Sequence, residues 1–231
     1  MQLVEVIKGE KTGQKQIEQA MAFTRRIDRL PLPVVSSPGF LVNRVLMPYL
    51  LEAVGIEAEG IPAEQVDQAA REFGMPMGPL ELADAVGLDI CMSVTGKLLS
   101  ESDQAFPKAF RHRVEQGQLG RKSGRGYYDY TGKKASTGKT AVDPEMAREL
   151  SDRMVLRLLN EAVACFQEGV VEGVDLVDAG VIFGTGFAPF TGGPLHYIRQ
   201  TGPEVLMHRL QTLEQSYGSR FSANVGWSAI S

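Results

Sequence analysis

The 231-residue chain carries 24 Lys and Arg against 28 Asp and Glu, a formal net charge of −4, with 43% hydrophobic and 23% charged residues. These values are typical of globular proteins and exclude disordered, collagen-like and low-complexity chains. Without a basic stripe, the chain is not expected to bind nucleic acid. No apolar run reaches the roughly 18 residues of a membrane span, and the first residues do not resemble a signal peptide.

The first 37 residues predict a strand, a helix and a second strand. Residues 2–8 alternate with β-branched residues, and residues 30–35 form a short apolar run whose prolines favour an edge strand. Between them lies a helical pattern with Ile17, Ala20, Met21 and Phe23 on one side, for which Thr12 is the predicted N-cap. Such a unit is too small to hold a core alone, so it is expected to pack against other structure.

Residues 41–116 change to a helical pattern. A long helix is predicted over 41–58, with a kink near Pro48, and a second helix over about 63–73, ended by Gly74. Pro79 suits the first turn of a third helix, and two more are predicted at about 89–99 and 106–116. Residues 117–141 are rich in Gly, Lys, Ser and Thr and predict a linker, apart from an extended segment at 127–130.

The helical pattern then repeats. Residues 43–54 match residues 152–163 at an offset of 109. Three short motifs further along recur with small drifts in offset: Val66-Asp67 as Val177-Asp178, Phe73-Gly74 as Phe183-Gly184, and Gly78-Pro79-Leu80 as Gly193-Pro194-Leu195. We interpret the match as an internal duplication of an all-helical unit, whose copies are expected to pack like a fused isologous dimer. The predicted fold class is therefore mainly α: a strand–helix–strand unit (1–37), a first helical copy (38–130), a linker (131–143) and a second copy (144–231).

Few residues suggest chemistry by pattern alone. Glu5 is the one acid in an apolar strand, and it is either solvent-exposed or a carboxylate that orients a catalytic His. Asn43 lies near a helix start, where an amide either satisfies local backbone or binds a ligand at a cleft. Residues 120–126 could hold phosphate groups, although a basic solvated linker is the usual explanation.

The remaining polar motifs predict no reaction. The three histidines lie in helix-like stretches without a paired ligand or nucleophile, so surface or packing roles are expected. Cys91 and Cys165 sit in apolar runs without metal-ligand spacing, which predicts buried free thiols, a cytoplasmic location and no metal site. No G-x-G-x-x-G fingerprint occurs, and its nearest match, at 184–186, follows a helix rather than a strand.

Longer motifs carry a family resemblance. The runs VVSSPGFLVNRVLMPYLLEA, GMPMGPLELADAVGLDI and LGRKSGRGYYDY resemble the C-terminal region of 3-hydroxyacyl-CoA dehydrogenases. The runs NEAVACFQEG and IFGTGFAPFTGGPLHYIR resemble the second helical repeat of multifunctional fatty-acid-oxidation proteins. This family oxidises 3-hydroxyacyl-CoA to 3-ketoacyl-CoA with NAD, so the resemblance implies an NAD-dependent oxidoreductase of β-oxidation.

The resemblance also implies roles for individual residues. Glu5 corresponds to the glutamate of a His–Glu catalytic pair, and Asn43 to an asparagine that contacts substrate near the reacting carbon. Lys122 corresponds to a lysine that reaches NAD, and Phe183 stands where some relatives have a substrate-binding tyrosine. The resemblance implies that residues 1–37 are a remnant of the family's Rossmann-type NAD-binding domain and that the two helical copies are tandem dehydrogenase C-terminal domains. The family's catalytic His and Gly-rich fingerprint are expected upstream of residue 1, so this chain alone is expected to be inactive.

The resemblance implies acyl-CoA as the ligand, with assembly as a homodimer or in a fatty-acid-oxidation complex. Two alternatives remain open at this stage. One is a non-catalytic helical assembly domain, and the other is a different two-domain dehydrogenase of the hydroxyacid or 6-phosphogluconate type, whose substrate motifs are not found.

Overall fold

A computed structural model describes residues 2–98, 108–132 and 141–230. The first elements are strand β1 (Leu3–Lys8), helix α1 (Gln14–Arg26) and strand β2 (Leu30–Val35). The two strands pair in parallel, with Leu3 opposite Leu30 and Lys8 opposite Val35. Because parallel neighbours need a crossover connection, α1 supplies it, and the predicted strand–helix–strand unit is confirmed.

The details of α1 differ from the prediction. Its N-cap is Gly13, not Thr12, whose hydroxyl instead accepts a hydrogen bond from the Gly9 amide at 3.1 Å. The predicted apolar face is also wrong, because Phe23 is 62% exposed and Ala20 is exposed. The helix buries only Ile17 and Thr24, since it covers the two-stranded sheet with a narrow stripe.

The next helices follow the predicted order. They are α2 (Val42–Ala58), α3 (Ala63–Phe73), α4 (Pro79–Val86) and α5 (Leu88–Leu98). Gly74 ends α3 in the left-handed region, at φ 117°, and Pro79 occupies the first position of α4, both as predicted. Helix α6 (Lys108–Glu115) follows, and the predicted helix ends at residues 99 and 106 lie outside the described residues.

The linker prediction is wrong for residues 120–126, which fold together with the segment 127–130 that was predicted as extended. Residues Arg121–Ser123 form a 3-10 turn, and Arg125 bridges to both Gly120 and Asp129. This segment, named here the tyrosine loop (residues 120–130), is held by carboxylates from α3 and α4. Most of the predicted linker at 131–143 lies outside the described residues.

The second half is helical, as the pattern predicted. It contains α7 (Pro144–Gln167), α8 (Val174–Thr185), α9 (Pro194–Thr201) and α10 (Pro203–Tyr217), with short 3-10 turns near the end. Gly186 ends α8 in the left-handed region, so the glycines at 184–186 terminate a helix and do not open a nucleotide-binding turn. The described residues are thus mainly helical with one small parallel sheet, which confirms the predicted class.

The chain divides into two compact units. Unit one contains Met1–Leu46 and Leu158–Ser231, and unit two contains Met47–Arg157. The core of unit one includes Leu32, Leu41, Val181, Leu195 and Trp227, all nearly inaccessible to solvent. That of unit two includes Tyr49, Ile56, Leu80, Phe110 and Met154. The predicted domain boundaries stay a prediction, and none of the described helices is both long and apolar enough to span a bilayer.

Candidate functional site

Glu5 is the carboxylate around which the first predicted site residues are arranged. It lies in the middle of β1, opposite Leu32, and is only partly exposed. Its Oε1 accepts hydrogen bonds from the backbone amides of Leu41 at 2.8 Å and Val42 at 3.2 Å. These amides belong to the first turn of α2, where N–H groups have no helical acceptor and where the helix dipole favours a negative charge.

The electrostatics of Glu5 reflect this position. Burial raises its pKa above the usual value, while the two amide hydrogen bonds lower it. Both bonds are accepted by Oε1, so Oε2 receives none from the part of the chain that the structure describes. The carboxylate therefore fixes the helix start with one oxygen and can accept a further N–H with the other.

Asn43 follows these two amides directly in the chain. Its side chain is exposed, whereas Leu41 and Val42 are buried beside it. The structure therefore brings Glu5 and Asn43 together, because the carboxylate of one binds the backbone next to the other. Glu5 and Asn43 lie far apart in the sequence, and they come close only because β1 packs against the start of α2.

Phe183 lies on α8 in the same compact unit and is 44% exposed. Its neighbour Gly184 approaches Val42 so closely that a Cβ there would stand 2.4 Å from Val42 Cγ2. Phe183 is thus on a helix that packs against the start of α2.

Lys122, the residue expected to reach NAD, belongs to unit two. Its ammonium contacts the two carboxylate oxygens of Asp89 at 2.5 and 2.7 Å, and 44% of its side chain is exposed. This hydrogen bond lowers the pKa of Asp89. Lys122 is accordingly a surface cation already paired with an acid on α5.

Arg121, another basic residue of the tyrosine loop, contacts an acid and an aromatic ring. Arg121 pairs with Glu81 at 2.8 Å and stacks over Tyr130, while Arg71 binds the same Glu81 at 2.6 Å. These contacts stabilise the loop against α4. They weaken the phosphate-holding interpretation, because the carboxylate of Glu81 competes with an anion for Arg121.

Two buried aspartates that pattern analysis missed hold the tyrosine loop. Asp84 of α4 accepts from the amides of Tyr127 and Tyr128, each at 3.0 Å, and from the Tyr130 hydroxyl at 3.0 Å. Asp67 of α3 accepts from the Tyr128 hydroxyl at 2.8 Å. The signal that could have found them is an aspartate on the apolar face of a helix, since buried carboxylates require donors.

Asp67 has a second function, at the start of α4. Its two oxygens accept from the amides of Leu80 at 2.8 Å and Glu81 at 3.0 Å. Gly78 makes this contact possible, because a Cβ there would lie 2.1 Å from the Asp67 carboxyl carbon. Burial raises the pKa of Asp67 to about 6, although these hydrogen bonds and the one from Tyr128 lower it.

The second half of the chain contains the same arrangement. Asp178 of α8 accepts from the amides of Leu195 at 2.7 Å and His196 at 3.2 Å, at the start of α9. A Cβ on Gly193 would lie 2.5 Å from the Asp178 carboxyl carbon. The predicted correspondence of Asp67 with Asp178 and Gly78 with Gly193 thus coincides with equivalent hydrogen bonding.

Two arginine clusters also correspond. Arg44 donates through Nε to Glu161 at 2.6 Å and through both Nη atoms to Glu168 at 2.6 and 2.8 Å. In unit two, Arg153 donates through Nε to Glu52 at 2.8 Å and through both Nη atoms to Glu59 at 2.7 Å. Each of the three positions in one cluster is separated from its counterpart by the repeat offset of 109.

The remaining candidates behave as expected. Cys91 and Cys165 are free and buried, and burial raises their pKa values to about 11 and about 12. The three histidines lie exposed on α6, α9 and α10. The two thiols are buried and the three histidines are exposed, whereas Glu5 is partly buried and accepts two backbone hydrogen bonds.

Comparison with known proteins identifies the helical segment that begins at Gly39. The sequence matches the family of 3-hydroxyacyl-CoA dehydrogenase C-terminal domains over residues 39–130. Residues 39–130 belong to that family. The resemblance stated from the sequence is therefore confirmed, and this dehydrogenase domain contains Asn43, both buried aspartates and the tyrosine loop.

Relatives and solved structures extend the similarity beyond the dehydrogenase domain. The fatty acid oxidation complex subunit alpha of Shewanella sp. (strain ANA-3) is 40% identical over 96% of this chain, which covers 33% of that protein. The 3-hydroxybutyryl-CoA dehydrogenase of Escherichia coli is 25% identical with a TM-score of 0.83, covering 99% of this chain and 67% of the other. The dehydrogenase part of Caenorhabditis elegans multifunctional enzyme 1, 22% identical with a TM-score of 0.71 and covering 100% and 56%, shares the fold. The chain thus spans about a third of the length of the curated relatives it matches.

Proposed function

We propose that this chain is the substrate-binding and oligomerisation portion of an NAD-dependent 3-hydroxyacyl-CoA dehydrogenase of fatty acid β-oxidation. The observation that carries the proposal is the pair of hydrogen bonds that Glu5 accepts from the two backbone amides preceding Asn43. They bring a carboxylate and an exposed amide together in residues that resemble the family's catalytic motif, and the whole protein converts 3-hydroxyacyl-CoA to 3-ketoacyl-CoA.

The geometry suits distinct roles for these two residues. Glu5 Oε2 can accept an N–H of the histidine that removes the hydroxyl proton in the whole enzyme, which holds the ring in one tautomer and stabilises its protonated form. The amide of Asn43 can donate to an oxygen of the acyl group. We infer that Phe183 adds apolar contact area for the same ligand, in place of the tyrosine of some relatives.

NAD supplies hydride acceptance when it is bound. We infer that residues outside this sequence supply most of its site, because the sequence contains no phosphate-cradling fingerprint. Lys122, which is already paired with Asp89, is proposed only as an outer contact for the cofactor. The roles proposed for Glu5, Asn43 and Phe183 belong to side chains of unit one.

Acyl-CoA binding by the 231-residue chain tests the proposal. Calorimetry with acetoacetyl-CoA is expected to show binding that Asn43→Ala weakens about tenfold, since a lost hydrogen bond to a ligand is worth about 1.4 kcal/mol. Gln19→Ala, which removes an exposed amide on α1, is the matched control and is expected to bind as the wild type does. With 3-hydroxybutyryl-CoA and NAD the same chain is expected to form no NADH, and absorbance well above the blank would contradict the expected inactivity.

A second candidate is a non-catalytic assembly domain. Two apolar side chains in short turns of unit one are conspicuously exposed, Phe190 by 77% and Val225 by 83%, and exposed apolar surface marks interaction sites. Both proposals include membership of a fatty-acid-oxidation complex. Both also include a cytoplasmic location, which the buried free thiols favour. Absence of any acetoacetyl-CoA binding, with self-association by light scattering, would favour this alternative.

A further inference from the structure

The start of α2 is held from three directions. On one side, Glu5 of β1 accepts the amide hydrogens of Leu41 and Val42. The side chains of both residues are buried, with 0% and 7% of their surfaces exposed. Asn43 follows them with its side chain exposed, so its position depends on what fixes the residues on either side.

Helix α8 forms the second contact, through two glycines one helical turn apart. A Cβ on Gly184 would lie 2.4 Å from Val42 Cγ2 and 3.2 Å from Leu3 Cδ2. A Cβ on Gly180 would lie 2.6 Å from Leu41 Cδ2. Because these distances are shorter than van der Waals contact, only glycine lets the backbone of α8 approach the two residues that bind Glu5.

Helix α7 forms the third contact, through Arg44. The guanidinium binds Glu161 at 2.6 Å and Glu168 through two parallel bonds, and 18% of its side chain is exposed. Paired geometry of this kind restricts orientation as well as distance. Asn43 is thus flanked by residues that β1, α7 and α8 hold in place.

We propose that α7 and α8 position the Glu5–Asn43 pair and that Gly184 is a positioning residue of this site. The catalytic role of this pair is part of the proposed function, and to that extent the inference rests on it. A side chain at residue 184 would push Val42 outward, which would separate its amide from Glu5 Oε1 and turn the Asn43 side chain away. The second half of the chain, which resembles a mere repeat, then contributes directly to the geometry of the site.

Residue-resolved amide hydrogen exchange tests this inference in the 231-residue chain. Gly184→Ala is expected to accelerate exchange at Leu41 and Val42 about tenfold or more, because hydrogen bonds to a charged acceptor protect these amides. Glu5→Gln is expected to accelerate the same two amides. Gly55→Ala is the matched control, since it adds a methyl group within helix α2 where a Cβ meets nothing within 4 Å, and it is expected to leave both amides protected.

A compensating variant separates local displacement from general loss of stability. Val42→Ala removes the methyl groups that the new Cβ would meet, so the double variant Gly184→Ala, Val42→Ala is expected to recover protection at Leu41. Recovery would support the inference even if Gly184→Ala alone fails to fold. Protection that is unchanged in a folded Gly184→Ala variant, or lost equally in Gly55→Ala, would overturn it.

Ligand binding distinguishes this inference from the proposed function. If acetoacetyl-CoA binds the wild type, Gly184→Ala is expected to weaken binding and the double variant to restore part of it. If acetoacetyl-CoA does not bind at all, the proposed function fails, while the exchange result still decides whether α8 fixes the contact between Glu5 and Val42.

Discussion

The two arginine clusters have the same hydrogen-bonding pattern in different surroundings. Arg153 and Glu52 each have 3% of their side chains exposed, whereas the corresponding Arg44 and Glu161 are 18% and 27% exposed. In both clusters the arginine of one predicted copy binds glutamates of the other copy. This exchange supports the proposed duplication, and the difference in burial shows that one cluster serves packing while the other adjoins Asn43.

The aspartate pair shows a similar difference. Asp67 and Asp178 both accept from two amides at the start of the next helix, but only Asp67 also accepts from a tyrosine hydroxyl. The shared bonds therefore belong to the helical scaffold. The additional bond belongs to the tyrosine loop, which lies in the dehydrogenase domain.

The largest contrast is expected between the two arginines. Arg153→Ala should lower the free energy of unfolding by about 3–5 kcal/mol, because it removes the guanidinium that pairs with the buried carboxylate of Glu52. Arg44→Ala should cost only about 1–2 kcal/mol, since water reaches both Arg44 and the corresponding glutamate, Glu161. Chemical denaturation followed by circular dichroism measures both values, and equal losses would contradict the assignment of packing to one cluster alone.

A smaller contrast is expected between the two aspartates. Asp67→Asn should lower the free energy of unfolding by about 2–3 kcal/mol, and Asp178→Asn by about 1–2 kcal/mol. The NH2 group of Asn replaces one carboxylate oxygen, and Asp67 Oδ2 accepts from two donors, whereas each oxygen of Asp178 accepts from one. Tyr128→Phe is the control, which removes only the third hydrogen bond. Asp67→Asn is expected to cost more stability than Asp178→Asn in the wild type, but not in a Tyr128→Phe background. If the two substitutions cost the same in both backgrounds, the Tyr128 hydroxyl adds nothing to stability.

The smallest expected effect is a dependence on pH. Burial raises the pKa of Asp67 from 3.8 to about 6, so the folded state binds a proton more tightly than the unfolded state. Its contribution to stability is full below pH 3.8 and is lost as the pH rises through about 6. Urea denaturation between pH 4 and 7 should show the stability difference between wild type and Asp67→Asn shrinking as pH rises, whereas a difference that grows would have the wrong sign.

Local patterns predicted most of the fold. The alternation of residues 2–8, the helical periodicity after Gly39 and the placement of Gly74 and Pro79 each reflect interactions within a few residues. The N-cap of α1 was wrong because the side chain of Thr12 has a competing local acceptor role toward Gly9.

The interactions that sequence analysis missed join distant residues. Tyr127 and Asp84 are 43 positions apart, so a loop rich in glycine and lysine was taken for a linker although a buried carboxylate orders it. The resemblance supplied Glu5 and Asn43, but only packing shows that one oxygen of Glu5 accepts from the two amides that precede Asn43. The exchange of partners between Arg44 and Arg153 was hidden for the same reason, even though all six residues fit the repeat.

Unit one is formed from two separate stretches of the sequence, so its two parts are synthesised at different times. Arg44 and its partner Glu161 are 117 positions apart, and the glycines of α8 that support Val42 come later still. During synthesis from the N-terminus, β1 and the start of α2 must therefore leave the ribosome long before the helices that fix them exist. The apolar strands remain uncovered for that interval, and closing so long a loop slows folding. Glu5 and Asn43 can thus acquire their final geometry only after α7 and α8 have been synthesised.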